Sequence, residues 1–90
     1  IPDDWKKQLN TIIDTLKEFK CSNNDMWKNN FLIKDNTIYL VDFGWSTINE
    51  YFPYINITKE DVDNHDSLFS LLDHTFERVI EKRILFRESL

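Results

Sequence analysis

Apolar side chains recur at Trp5, Leu9, Ile12, Ile13, Leu16 and Phe19, the spacing of one helical face. This stripe predicts a helix over residues 4–20. Asp3 is its expected N-cap, and Lys17 and Lys20 suit the negative end of its dipole. Cys21-Ser22-Asn23-Asn24 breaks the period with residues that favour turns. The pattern then changes to short runs rich in β-branched and aromatic residues, Phe31-Leu32-Ile33 and Thr37-Ile38-Tyr39-Leu40-Val41. Asp35-Asn36 lies between them, and both residue types tolerate the positive φ of a two-residue hairpin turn. Residues 45–57 carry no period and read as irregular, with an aromatic run at Tyr51-Phe52-Pro53-Tyr54. Thr58-Lys59-Glu60-Asp61 has the form of a capping box. A longer helix follows from about His65 to Arg87, with Leu68, Leu72, Phe76, Val79 and Ile80 on one face and Phe69 and Leu71 widening it. Helices flanking one hairpin make an α+β chain, and 90 residues allow one small domain.

Charge narrows the function classes. Eleven basic residues against sixteen acidic ones give a formal net charge of −5, which argues against a general nucleic-acid-binding surface. No apolar run has the length of a membrane span and no signal peptide is visible. Cys21 is the only cysteine and cannot form an internal disulfide, so a reducing, cytoplasmic setting is the simpler expectation. Cys21 itself reads as a small filler side chain. His65 and His74 have no Cys or His partner at ligand spacing, which argues against zinc. Asn56-Ile57-Thr58 matches a glycosylation sequon, read here as coincidence.

The chemistry concentrates in residues 25–44. A hairpin brings its outer ends, Asn30 and Asp42, side by side, and Asp25 lies on the loop entering the first strand. Three oxygen-bearing side chains then converge, of the hard-ligand type that suits Mg²⁺. Gly44, the only glycine, permits a sharp turn just after Asp42. Trp27 either packs against the fold or stacks on a substrate.

Asp25, Asn30 five residues later, and Asp42-Phe43-Gly44 resemble the catalytic loop and Asp-Phe-Gly segment of protein-kinase-like phosphotransferases. The resemblance implies the C-lobe core of that fold: a helix at 4–20, the catalytic loop at 21–30, and the hairpin with Asp-Phe-Gly at 31–44. A substrate-facing segment at 45–57 and helices at 58–87 complete it. It implies Asp25 as catalytic base, Asn30 and Asp42 as metal ligands, and Phe43 and Gly44 as parts of the nucleotide site. Lys28 stands one position beyond the usual phosphate-contacting lysine, and Asp66 falls where a structural brace of the catalytic loop is expected. The implied cofactors are ATP and Mg²⁺, and the implied partner is a hydroxyl-bearing acceptor such as a saccharide, small molecule or protein.

Departures from the pattern are specific. Asn23 and Asn24 replace the usual His and Arg, and Trp27 the usual Lys. No Ala-Pro-Glu motif follows, which turns the resemblance toward small atypical or lipopolysaccharide and sugar kinases and away from regulated protein kinases. No strand is read before the catalytic loop, and one glycine cannot build a Gly-rich loop. A nucleotide-clamping N-lobe is therefore expected elsewhere in a longer parent chain or on a partner chain, and these 90 residues alone are expected to be inactive. Two other readings stand beside this one: a pseudokinase-like binding or scaffold module, and an α+β interaction domain whose motif match is accidental.

Overall fold

The computed structural model describes residues 1–23, 25–41, 46–48 and 55–89, with the backbone alone for 46–48 and 82–89. Helix α1 (Trp5–Glu18) is followed by strand β1 (Cys21–Asn23), a single 3₁₀ turn (Lys28–Asn30), and strands β2 (Phe31–Lys34) and β3 (Thr37–Leu40). Strand β4 (Ser46–Ile48) and helices α2 (Lys59–Asp63) and α3 (Leu68–Ser89) complete the order. The chain is α+β: among the described residues, helices surround two separate two-stranded antiparallel ribbons, β1–β4 and β2–β3. No helix among these residues is long and apolar enough to cross a membrane.

The apolar stripe of α1 is the centre of the core. Leu9 and Ile13 are completely buried, joined by Trp5 and Leu16, and they meet Met26, Ile38, Ile55, Ile57 and Val62 together with Leu68, Leu71 and Leu72 of α3. Two details of the expected helix change. Phe19 is 69% exposed because α1 ends at Glu18 and Lys20 takes a left-handed φ of 55° that turns the chain away. The N-cap is Asp4, not Asp3, and it makes no capping hydrogen bond to the first turn. Its carboxylate instead accepts from Gln8 Nε2 at 2.8 Å.

Gln8 ties the hairpin to this helix. Its Nε2 also donates to Asn36 O at 3.0 Å, and its Oε1 accepts from Ile38 N at 2.7 Å. The turn is as expected: Asp35 and Asn36 both have positive φ, 52° and 60°, and Lys34 pairs with Thr37. Asn36→Val should cost about 1–2 kcal/mol, because a β-branched residue resists the left-handed region that Asn tolerates. Chemical denaturation against an Asn36→Gly control measures this, since glycine keeps the turn without the steric cost.

Three expectations are corrected by packing. A strand does precede the Asp25 loop: Cys21, Ser22 and Asn23 pair with Ile48, Thr47 and Ser46, and Asn23 makes a further parallel bridge to Ile55. Residues 45–57 are therefore not irregular throughout. The buried side of α3 is Leu68, Leu71, Leu72, Thr75 and Val79, while Phe69 and Ile80 are 59% and 43% exposed. Lastly, α3 begins three residues later than expected, because Ser67 caps it; its Oγ accepts from Ser70 N at 3.1 Å.

Candidate active site

The two ribbons hold the ends of the loop that carries Asp25. On its entry side, Asn23 of β1 pairs with Ser46. On its exit side, Asn30 O accepts from Val41 N at 2.8 Å, which continues the β2–β3 ladder by one pair. Asn30 thus stands opposite Val41, one residue short of the expected partner Asp42. Asp42, Phe43 and Gly44 themselves lie outside the described residues, as do Asn24 and the aromatic run at 51–54. Their described neighbours Val41 and Ser46 are both fixed beside the Asp25 loop.

Asp25 and Asn30 meet as expected. Asn30 Nδ2 donates to Asp25 Oδ2 at 2.6 Å and to Asp25 O at 2.7 Å. Both partners are acceptors, so the amide can only face them with its NH₂ group, and its two hydrogens are used. Oδ1 of Asn30 is left as a hard oxygen acceptor, and no group among the described residues donates to it. Asp25 and Asn30 are 2% and 5% exposed, and burial strengthens such charge-assisted bonds.

Asparagines also hold the loop backbone. Asn23 Oδ1 accepts from Asp25 N at 2.9 Å, closing an Asx turn. Nδ2 of Asn23 is buried and has no protein partner among the described residues. Asn56 grips the next residue from both sides: Oδ1 accepts from Met26 N at 2.9 Å and Nδ2 donates to Met26 O at 3.0 Å. Its own N donates to Asn23 O at 3.1 Å. Asn56 is 1% exposed, so its amide serves the loop and the sequon match has no steric access.

A second layer supports Asn56. Arg78 of α3 donates from Nη1 to Asn56 O at 3.0 Å and to Asp61 Oδ2 at 2.7 Å, and from Nη2 to Asp61 Oδ1 at 3.2 Å. Asp61 is also the third residue of α2 and completes the capping box with Thr58. Burial pushes the Asp61 carboxyl upward. The bonds from Arg78 and from the Thr58 backbone and side chain, with the Arg78 charge, outweigh this and leave it below its ordinary value of 3.8.

Other expected site residues fall elsewhere. Asp66 is exposed and precedes the α3 cap, so it does not brace the loop; Asn23 and Asn56 take that role. Sequence reading passed over Asn56 because it lies 30 residues from Met26. Trp27 is half-buried and stacks on Phe76 of α3, with centroids 5.4 Å apart and planes inclined by 26°. Lys28 is exposed and, with Trp27, lines a cleft against α3. Comparison of the chain with protein-family models, curated proteins and solved structures finds no match.

Proposed function

We propose that this chain forms part of an ATP- and Mg²⁺-dependent kinase-like phosphotransferase site that acts on a hydroxyl acceptor. The observation that carries this reading is the pair of hydrogen bonds that Asn30 Nδ2 donates to Asp25 O and Asp25 Oδ2. It orients Asn30 Oδ1 as a metal ligand and holds that ligand on a rigid ladder end rather than on a free loop. Asn30, with Asp42, would hold the ion. Bound Mg²⁺ and ATP supply the phosphoryl group and neutralise its charge. Asp25 would orient and deprotonate the acceptor hydroxyl, and its backbone is fixed by Asn23 and by the grip of Asn56 on Met26.

Equilibrium binding of Mg-ATP by the natural full-length protein tests the assignment. Asn30→Ala should weaken binding by about 10-fold or more when Mg²⁺ is present, through loss of a ligand, and leave metal-free nucleotide binding little changed. Equal affinity of the two proteins for Mg-ATP would remove Asn30 as a ligand.

A second reading, a pseudokinase-like binding or scaffold module, is favoured by the burial of Asp25. A base that is 2% exposed and already bonded through Oδ2 offers an acceptor little access. Absence of Mg-ATP binding in the full-length protein would select this alternative.

A further inference from the structure

His65 and His74 stand far enough apart in the chain that their spacing argued against zinc. The fold brings them together: their ring centroids are 4.9 Å apart, with planes inclined by 45°. His65 is half-buried in the connection between α2 and α3, and His74 is exposed on α3. The His65 ring is held in one tautomer. Its Nδ1 is 2.7 Å from Asp61 O, and a carbonyl oxygen only accepts, so Nδ1 carries the proton. In the neutral ring Nε2 then keeps its lone pair. His74 has no hydrogen-bond partner among the described residues, which leaves its basic nitrogen open as well.

We infer that His65 and His74 together bind a divalent transition-metal ion, with Zn²⁺ as the representative. The tautomer is the first support. A ring N–H bonded to a backbone carbonyl orients a metal-ligating imidazole and raises the basicity of its other nitrogen. Ring separation is the second. Two imidazoles on one tetrahedral Zn²⁺, each with Zn–N of about 2.0–2.1 Å, have ring centres about 5 Å apart. The local charge is also favourable, because exposed Asp66 and Asp73 adjoin the two histidines in the chain. No third His, Cys, Asp or Glu among the described residues completes a protein cage, so water takes the other positions. Imidazole nitrogens suit Zn²⁺, Cu²⁺ and Ni²⁺, whereas Mg²⁺ takes oxygen ligands. This site is therefore chemically distinct from the one proposed at Asn30. A bound ion ties α3 to the end of α2, where the Asp61 carboxylate accepts from Arg78.

The test uses the natural full-length protein, free of any histidine tag and without nucleotide. Zinc chloride is titrated by calorimetry while the imidazole resonances of both histidines are followed by NMR. The resonances of both rings should shift together, and a chelator should reverse the change. His74→Gln should weaken zinc binding by about 10-fold or more, since loss of even an outer-shell partner costs about 10- to 100-fold. His74 is exposed, so this variant should keep the wild-type melting temperature in the absence of zinc. Zinc should raise the melting temperature of the wild type and leave that of His74→Gln little changed. His65→Gln provides a second variant, with the same loss of zinc affinity expected. Excess Mg²⁺ should not displace the zinc. The inference is overturned by absence of zinc binding, by shifts confined to one ring, or by binding that neither variant weakens. Displacement of the zinc by Mg²⁺ overturns it too, because that places the ion on carboxylates.

Discussion

Replacing Asn56 by alanine should destabilise the fold by about 2–4 kcal/mol. The variant removes both side-chain bonds to Met26, at 2.9 and 3.0 Å, from a site where Asn56 is 1% exposed and Met26 fully buried. Water cannot easily replace them, so the Met26 N–H and C=O would each lose a partner inside the core. The cost is that of two unsatisfied backbone groups, well above the net worth of two exposed hydrogen bonds. Asn56→Asp is the informative companion. An aspartate still accepts from Met26 N but turns an oxygen toward Met26 O, so it should rescue little of the loss. Urea denaturation of the two variants measures this. A loss below about 1 kcal/mol for Asn56→Ala would mean that the Asp25 loop is held by its strands and not by this amide.

Arg78→Ala should cost about 2–3 kcal/mol at neutral pH, and the cost should shrink on acidification. Among the described residues Arg78 donates two hydrogen bonds to Asp61 and one to Asn56 O, with side chains 37% and 12% exposed for Arg78 and Asp61. Removing it strands a mostly buried carboxylate; the partial exposure of the guanidinium keeps the figure below that of a fully buried pair. The sign of the pH dependence follows from the lowered value of Asp61. Its folded form binds a proton less readily than its unfolded form. The stability it contributes is complete above the unfolded value, 3.8, and is lost as pH falls through the lower folded value. The wild type should therefore lose this contribution below about pH 4, while Arg78→Ala has already lost most of it. Urea midpoints of the two proteins, compared from neutral pH to about pH 3, should converge. A difference that stays constant over that range would show that Arg78 acts through Asn56 O and not through Asp61. The Lys59–Asp14 bridge is a useful contrast: at 2.6 Å it is short, but its side chains are 47% and 56% exposed, and its loss should cost under about 1 kcal/mol.

Local chemistry alone determined several features. The Asp35-Asn36 turn needs only two residues that tolerate positive φ between two β-rich runs, and both φ values are positive. Thr58 and Asp61 form their capping box within one helical turn. The stripe of α1 was legible because Trp5, Leu9, Ile13 and Leu16 repeat at the helical period. The contact between Asp25 and Asn30 was legible for a similar reason: Asn30 stands five positions after Asp25, and the hairpin that follows fixes Asn30 at its end.

What only the tertiary structure decided has a common cause: each feature joins residues far apart in the chain, with no period or turn signal to announce it. Strands β1 and β4 are three residues long, too short to show alternation, and each exists because the other is there to accept its hydrogen bonds. Gln8 reads as an ordinary helix-surface residue until the hairpin turn lies against it. Phe69 and Leu71 looked equally apolar, yet the direction of α3 relative to α1 buries one and exposes the other. The expected brace at Asp66 failed because Ser67, next to it, captured the helix start. Asn56 replaced it because its neighbours Ile55 and Ile57 are buried, which carries the amide between them into reach of Met26. Hydrophobic burial chose where each segment lies, and the buried amides then paired with the backbone groups they met there.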